Sequence, residues 1–211
     1  MNRLRRVVRN MLLTESVNKK LQNAIDFLQA GEYSIQFHQE GRQELSILVV
    51  DNGGDTKGKV DMQTPNGPGN GRFMVNWTDA SNFRGQGVGA LLYDLALEHA
   101  GNIGLTGHTN GSVKPEALRM YEFMYENDEL YDKILLDPVG YTETKEDDIN
   151  IYHMMAWAKL AGVPIPKMRN RGYMHGDGKS LWMNHPLSYA YVKKDQSKPT
   201  TSYLESLGML R

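Results

Sequence analysis

A β-forming run that ends near Thr78 is followed closely by Arg84-Gly85-Gln86-Gly87-Val88-Gly89 and then by a segment with helical spacing. Alternate glycines weaken both strands and helices, so they belong to a turn. From Ala90 to Ala100, Leu91, Leu92, Leu95 and Ala96 share one stripe, which predicts a helix with a buried face. Such a turn offers the unpaired N–H groups and the positive dipole end of the helix to an anion. A tight turn that binds nothing is the bland alternative. The flanking arginine favours a ligand, and a phosphate suits the site best.

The elements around the turn narrow the architecture. Ser16 caps a predicted helix that carries Val17, Leu21, Ala24, Ile25 and Leu28 and stops at Gly31. Four strands follow, at Tyr33 to Phe37, Glu44 to Val50, Lys59 to Thr64 and Arg72 to about Thr78, separated by turn-rich stretches at Asp51 to Gly58 and Pro65 to Gly71. With connections this short the four strands are expected to be antiparallel. After the glycine segment come the helix, a fifth strand at Ile103 to Thr109, and a helix opened by Pro115 that runs to about Tyr125. Ile134 to Leu136 and Tyr189 to Val192 read as short strands, and Asp147 to Leu160 as a helix.

Composition excludes several classes. The chain has 211 residues, enough to bury a core, and no cysteine, so disulfides, thiolate nucleophiles and zinc-thiolate clusters are ruled out. No apolar run is long enough to cross a bilayer, and 40% apolar content fits a soluble, cytoplasmic globular protein with no membrane partner. The net charge of −1 conceals segregation: residues 122 to 148 hold ten Asp/Glu against two Lys, and residues 164 to 194 six Lys/Arg against one Asp. Two oppositely charged surfaces that pair with each other account for this, as does an acidic-ligand or nucleic-acid face.

Two phosphate-binding motifs fail on particular residues. A nucleotide P-loop ends in Gly-Lys-Ser/Thr, whereas Gly89 is followed by Ala90 and Leu91. A dinucleotide fingerprint needs its third glycine one position later and an acidic residue where Thr106, Gly107 and His108 stand. Arg84-Gly85-Gln86-Gly87-Val88-Gly89 instead resembles the Arg/Gln-x-x-Gly-x-Gly/Ala motif of the GNAT superfamily of N-acetyltransferases, which also follows a fourth strand. The resemblance covers roughly residues 16 to 136. A second family signature, Asn-x-x-Ala-x-x-x-Tyr then Gly-Phe, is matched by Ala117 and Tyr121, but Lys114 and Tyr125-Glu126 stand where Asn and Gly-Phe are expected.

The resemblance implies an α/β fold with a central mixed, mostly antiparallel sheet flanked by helices, and transfer of an acetyl group from the co-substrate acetyl-CoA to an amine by direct attack. The acceptor would be a small molecule or a protein. Backbone groups of Gly85, Gln86, Gly87, Val88, Gly89 and Ala90, with Arg84 beside them, would hold the pyrophosphate. Val75, Asn76, Trp77 and Thr78 would pair with the pantetheine arm, and a backbone N–H of this fourth strand would hold the oxyanion. Thioester and amine would meet where the fourth and fifth strands splay apart. Tyr121 would return a proton to the departing thiolate, although its place on a stripe with Ala117 and Met124 also suits a core aromatic. His108 and Asp79 are the candidate bases, each more readily read as an ordinary surface histidine or turn-capping aspartate.

In domain terms, residues 1–15 read as a basic amphipathic leader, 16–145 as the acetyl-CoA-binding domain and 146–211 as a C-terminal extension packing on or extending it. Leader residues Leu13-Thr14-Glu15 resemble the Leu-x-Glu ends of segments removed from phage head proteins, so packaging in a virion after cleavage is an alternative to a cytoplasmic location. No metal is expected, because the spacing of His175, Asp177 and His185 fits no common ligand pattern. The basic stretch Lys167 to Lys194, with its aromatic residues, leaves a nucleic-acid partner open but suits docking on the acidic block better. A binding protein that has lost catalysis is the further alternative, and a homodimer is compatible with each reading.

Overall fold

The computed structural model describes residues 19–65, 71–107, 113–136 and 186–211, and everything below concerns those. They form a mixed α/β fold with a seven-stranded, mostly antiparallel sheet flanked by helices. Helix α1 covers residues 19–30; strands β1 (Ser34–Glu40), β2 (Glu44–Val50), β3 (Thr56–Gln63) and β4 (Phe73–Asp79) follow. Then come α2 (Val88–Ala100), β5 (Leu105–Gly107), α3 (Pro115–Glu126), β6 (Tyr131–Leu135), β7 (Tyr189–Lys193) and α4 (Pro199–Ser206). The leader, His108 and the predicted helix at 147–160 lie outside the described residues, as do His175, Asp177 and His185.

The first four strands pair antiparallel in chain order, as their short connections require. Leu45, Ile47 and Val49 of β2 alternate inward, as do Val60 and Met62 of β3. These side chains join one core with Leu21, Ala24, Ile25 and Leu28 of α1 and Leu91, Leu92 and Leu95 of α2. Strand β3 begins three residues earlier than its alternation suggested, inside the turn-rich stretch, because Thr56 pairs with Val50 across a register shift.

Helix α2 carries the chain from β4 to β5, and such a crossover makes the two strands parallel. Among the described residues the pairing runs Phe73↔Leu105, Met74↔Thr106 and Val75↔Gly107. On its other side β4 carries a bulge: Asp61 faces Trp77 while Met62 faces Val75, which leaves Asn76 as the extra residue. Strand order across the sheet is β1-β2-β3-β4-β5-β7-β6, so β7, from the C-terminal stretch, lies between β5 and β6. The outer edge of β1 is covered by the chain end, where Ile35 donates to Met209 O at 2.8 Å and Arg211 donates to Ile35 O at 2.9 Å.

Helix α4 was not legible in advance, and one buried charge cluster explains how it docks. Lys193 Nζ lies 2.9 Å from Asp94 and 2.7 Å from Glu98, both on α2. Glu98 also receives the backbone N–H groups of Thr200 and Thr201 at 3.0 and 2.8 Å, so it caps the first turn of α4. The Thr200 hydroxyl donates to Asp94 at 2.6 Å. One ammonium cannot neutralise two carboxylates. Burial, with Glu98 beside it, raises the Asp94 pKa. Glu98, although burial opposes it, is held below its ordinary value by Lys193 and by the Thr201 and Thr200 N–H groups. Lys193 is raised by the two carboxylates against the pull of burial.

Replacing Lys193 by methionine strands two buried carboxylates and should cost about 3–5 kcal/mol near neutral pH. The sign of the pH dependence follows from proton uptake. Lys193 lowers the pKa of both acids, so without the ammonium both titrate higher than in the parent, and the folded variant takes up protons at a higher pH than the folded parent. Its deficit against the parent protein should therefore shrink as the pH falls from about 7 to about 5. Urea denaturation at the two pH values measures this, and a deficit independent of pH would contradict the arrangement.

Candidate functional site

The glycine turn begins after β4. Asp79 Oδ1 accepts the Ser81 N–H at 2.9 Å and so caps a single turn of 3-10 helix at Ser81–Phe83. Phe83 is buried against Phe27 and Tyr33, anchoring the turn in the core. The Gln86 N–H then bonds Phe83 O at 3.1 Å and reverses the chain. Gly85 and Gly87 both adopt φ +79°, a left-handed conformation that a side chain would strain. Gly87 is the N-cap of α2, and its carbonyl accepts the first helical bond from Leu91 at 3.1 Å.

No side chain caps this helix end, and no acidic residue stands in its first turn. The N–H groups of the first turn, from Val88 onward, are thus presented with their dipole uncompensated. Arg84, Gly85 and Gln86 are exposed around it, while Val88 is buried and fixes the start of the helix. The arrangement is one that an anion would satisfy.

Beyond Val75 the end of β4, Asn76 to Asp79, leads toward the glycine turn. Buried polar atoms without hydrogen-bond partners are found here and on the elements around it: Asn76 Oδ1 and Thr78 Oγ1 on β4, Thr106 Oγ1 on β5, Tyr121 Oη on α3 and Ser188 Oγ in the turn before β7. Buried polar groups are ordinarily paired, so several unpaired ones point to a site completed by something else. Gly107 closes β5 so tightly against α3 that a Cβ there would stand 3.4 Å from Tyr121 Oη. The Tyr121 hydroxyl is therefore held at the end of β5. Burial raises its pKa well above 10.0, reinforced by the neighbouring Tyr93 hydroxyl.

Tyr93, on α2, meets the Tyr121 ring edge-on at 5.9 Å between centroids. Burial raises its pKa too, opposed by the approach of Thr78 and Tyr121. That approach stops short of hydrogen-bonding geometry for Thr78 Oγ1 and Tyr121 Oη. Tyr93 had been hidden among the apolar residues of its helix stripe. Only the folded chain shows that its hydroxyl lies between β4 and α3.

The other sequence candidates divide by environment. Val75 is buried and Trp77 is 49% exposed. Lys114, just before α3, lays its ammonium 4.5 Å from the centre of the Trp77 ring. Asp79 is committed to Ser81, whose N–H and hydroxyl lower its pKa, with smaller contributions from Lys114 and Lys59. A carboxylate so stabilised is a weak base. Lys193, on the basic stretch, is taken up by Asp94 and Glu98, and Lys194 reaches Asp132 of the acidic block at 3.4 Å. Among the described residues no His/Asp/Glu group of three is placed to hold a metal ion, and no helix is long and apolar enough to cross a membrane.

No family model, curated protein or solved structure matches this chain.

The two left-handed glycines give a graded test of the turn. A Cβ at Gly87 would lie 3.3 Å from Lys20 O and 3.5 Å from Ala24 Cβ on α1, whereas one at Gly85 meets nothing within 4 Å. Gly85→Ala should lose about 1–2 kcal/mol from backbone strain alone, and Gly87→Ala more, because α1 must also give way. Thermal denaturation ranks them; equal losses would show that contact with α1 does not constrain the turn.

Proposed function

We propose that this chain is an acetyl-CoA-dependent N-acetyltransferase of the GNAT type, which transfers an acetyl group to a primary amine by direct attack. The observation that carries the reading is the uncapped α2 N-terminus, reached through two left-handed glycines, following a strand that pairs parallel with β5 after the crossover. The match of Arg84-x-x-Gly87-x-Gly89 to the family motif, and its place after a fourth antiparallel strand, support the same reading.

Acetyl-CoA supplies an activated acetyl thioester when bound, and the chain's own groups take the remaining roles. Backbone N–H groups from Gln86 to Ala90, with the Arg84 guanidinium, bind the pyrophosphate. The end of β4, from Val75 to Thr78, offers its backbone to the pantetheine arm. The bulge at Asn76 interrupts the ladder with β3 where a backbone N–H is needed for the oxyanion. As the carbon–sulfur bond breaks, Tyr121 gives its proton to the thiolate. Its buried, unpartnered hydroxyl is suited to a partner that arrives with the substrate. Asp79 is poorly suited as base, so the amine proton leaves by water or by His108.

Two measurements test this. Acetyl-CoA at about a hundred times its Kd should stabilise the protein by about 2.7 kcal/mol, and no shift in melting temperature at saturation overturns the reading. Tyr121→Phe should cut kcat at least about a hundredfold. Its stability should change little, because the hydroxyl it deletes has no partner to lose. Undiminished turnover in that variant removes Tyr121 as the donor, and acetyl-CoA binding with no transfer to any amine points to a binding protein instead.

A further inference from the structure

The contact between Lys114 and Trp77 joins the end of β4 to the start of α3. Trp77 lies on β4, two residues beyond Val75, the partner of Gly107 on β5. Lys114 immediately precedes α3, the helix that carries Tyr121 beside Gly107. The indole is half exposed, and a lysine from another element rests on its face.

The charges around this pair leave Lys114 without a carboxylate contact. Lys59 and Asp61, cross-strand neighbours of Asp79 and Trp77, pair with each other at 2.6 Å, and Asp61 also accepts from Ser46 at 2.7 Å. Asp79 is occupied by Ser81. Lys57, Lys133, Lys193 and Lys194 each have carboxylate partners. Lys114, exposed, forms no ion pair among the described residues; it rests on the ring, with Asp79 close enough to feel its charge.

Resting on the proposed function above, we infer that Trp77 and Lys114 form the acceptor subsite, and that it selects an amine whose body is planar or apolar and carries a carboxylate. The phosphates and the pantetheine arm are already assigned to the Arg84–Ala90 turn and the β4 backbone, which leaves this aromatic face and ammonium for the second substrate. The ring supplies a stacking surface and the ammonium a charge-assisted hydrogen bond to the carboxylate. A cation beside the acceptor also favours the neutral form of its amine, the form that attacks the thioester. In the transfer, the amine nitrogen bonds to the acetyl carbon and the carbon–sulfur bond breaks. The amine proton leaves to water or a base, and the thiolate takes a proton from Tyr121.

The test uses the full-length chain loaded with acetyl-CoA, and two probes of one shape: benzylamine and 4-(aminomethyl)benzoate. Binding is followed by tryptophan fluorescence, with Trp77→Phe identifying the responding ring among the three tryptophans. The carboxylated probe should bind at least about tenfold more tightly, as one charge-assisted hydrogen bond implies. Lys114→Gln should abolish that preference and Lys114→Arg restore it, with any turnover showing the change in KM and not in kcat. Equal affinity for the two probes, or an unaltered preference in Lys114→Gln, overturns the inference while leaving cofactor binding intact. Weaker binding of acetyl-CoA but not of dephospho-CoA in Lys114→Gln also overturns it, because the lysine would then serve the cofactor. So does an acetyl group recovered on Lys114 itself, because the lysine would then be the acceptor. Failure of acetyl-CoA to stabilise the parent chain is a separate result, and it counts against the acetyltransferase reading.

Discussion

The parallel pairing of β4 with β5 holds together what would otherwise be two antiparallel sheets. On one side β1 to β4 are joined by short connections; on the other β5, β7 and β6 pair antiparallel. A parallel join needs a crossover, and α2 is that crossover, packed over β2, β3, β4, β5 and β7. The helix follows β4 through the glycine turn, which places its uncapped first turn close to the end of that strand.

The seam draws support from elsewhere as well, and the Lys193 cluster supplies part of it. Asp94 and Glu98 anchor α2 to β7 through Lys193 and to α4 through Thr200 and Thr201. A buried ion cluster is a weak source of net stability but fixes geometry strictly, because a misplaced partner leaves a charge unpaired in the interior. Apolar packing of Leu92, Leu95 and Leu105, none of them exposed, contributes the larger part of the cohesion. The end of β4 and the start of α2 are thus framed by rigid elements, as a site that positions two reactants requires.

Legibility in the sequence followed the range of the interactions. Strands β1 to β4 and helices α2 and α3 could be read because alternation, helical stripes, glycines and Pro115 act within a few residues. Strand β6 was read too short. Its first residues, Tyr131 to Lys133, carry polar side chains and pair with Val192, Lys193 and Tyr191, almost sixty positions away. Helix α4 was missed because its opening, Lys198-Pro199-Thr200-Thr201, draws its cap from Glu98, about a hundred positions back. Asp79 read more readily as a turn cap than as a base, and its bond to the Ser81 N–H fits the cap.

By itself the sequence determined the left-handed glycines, the helix start they create and the absence of cysteine chemistry. These depend on backbone freedom and residue type, which need no distant partner. Only the tertiary structure decided that β4 pairs parallel with β5, that Tyr121 ends beside Gly107 and Tyr93, and that Lys114 comes to rest on Trp77. Each of these joins elements far apart along the chain. Their geometry is set by how α2 and α3 pack on the sheet, which residue spacing alone does not encode.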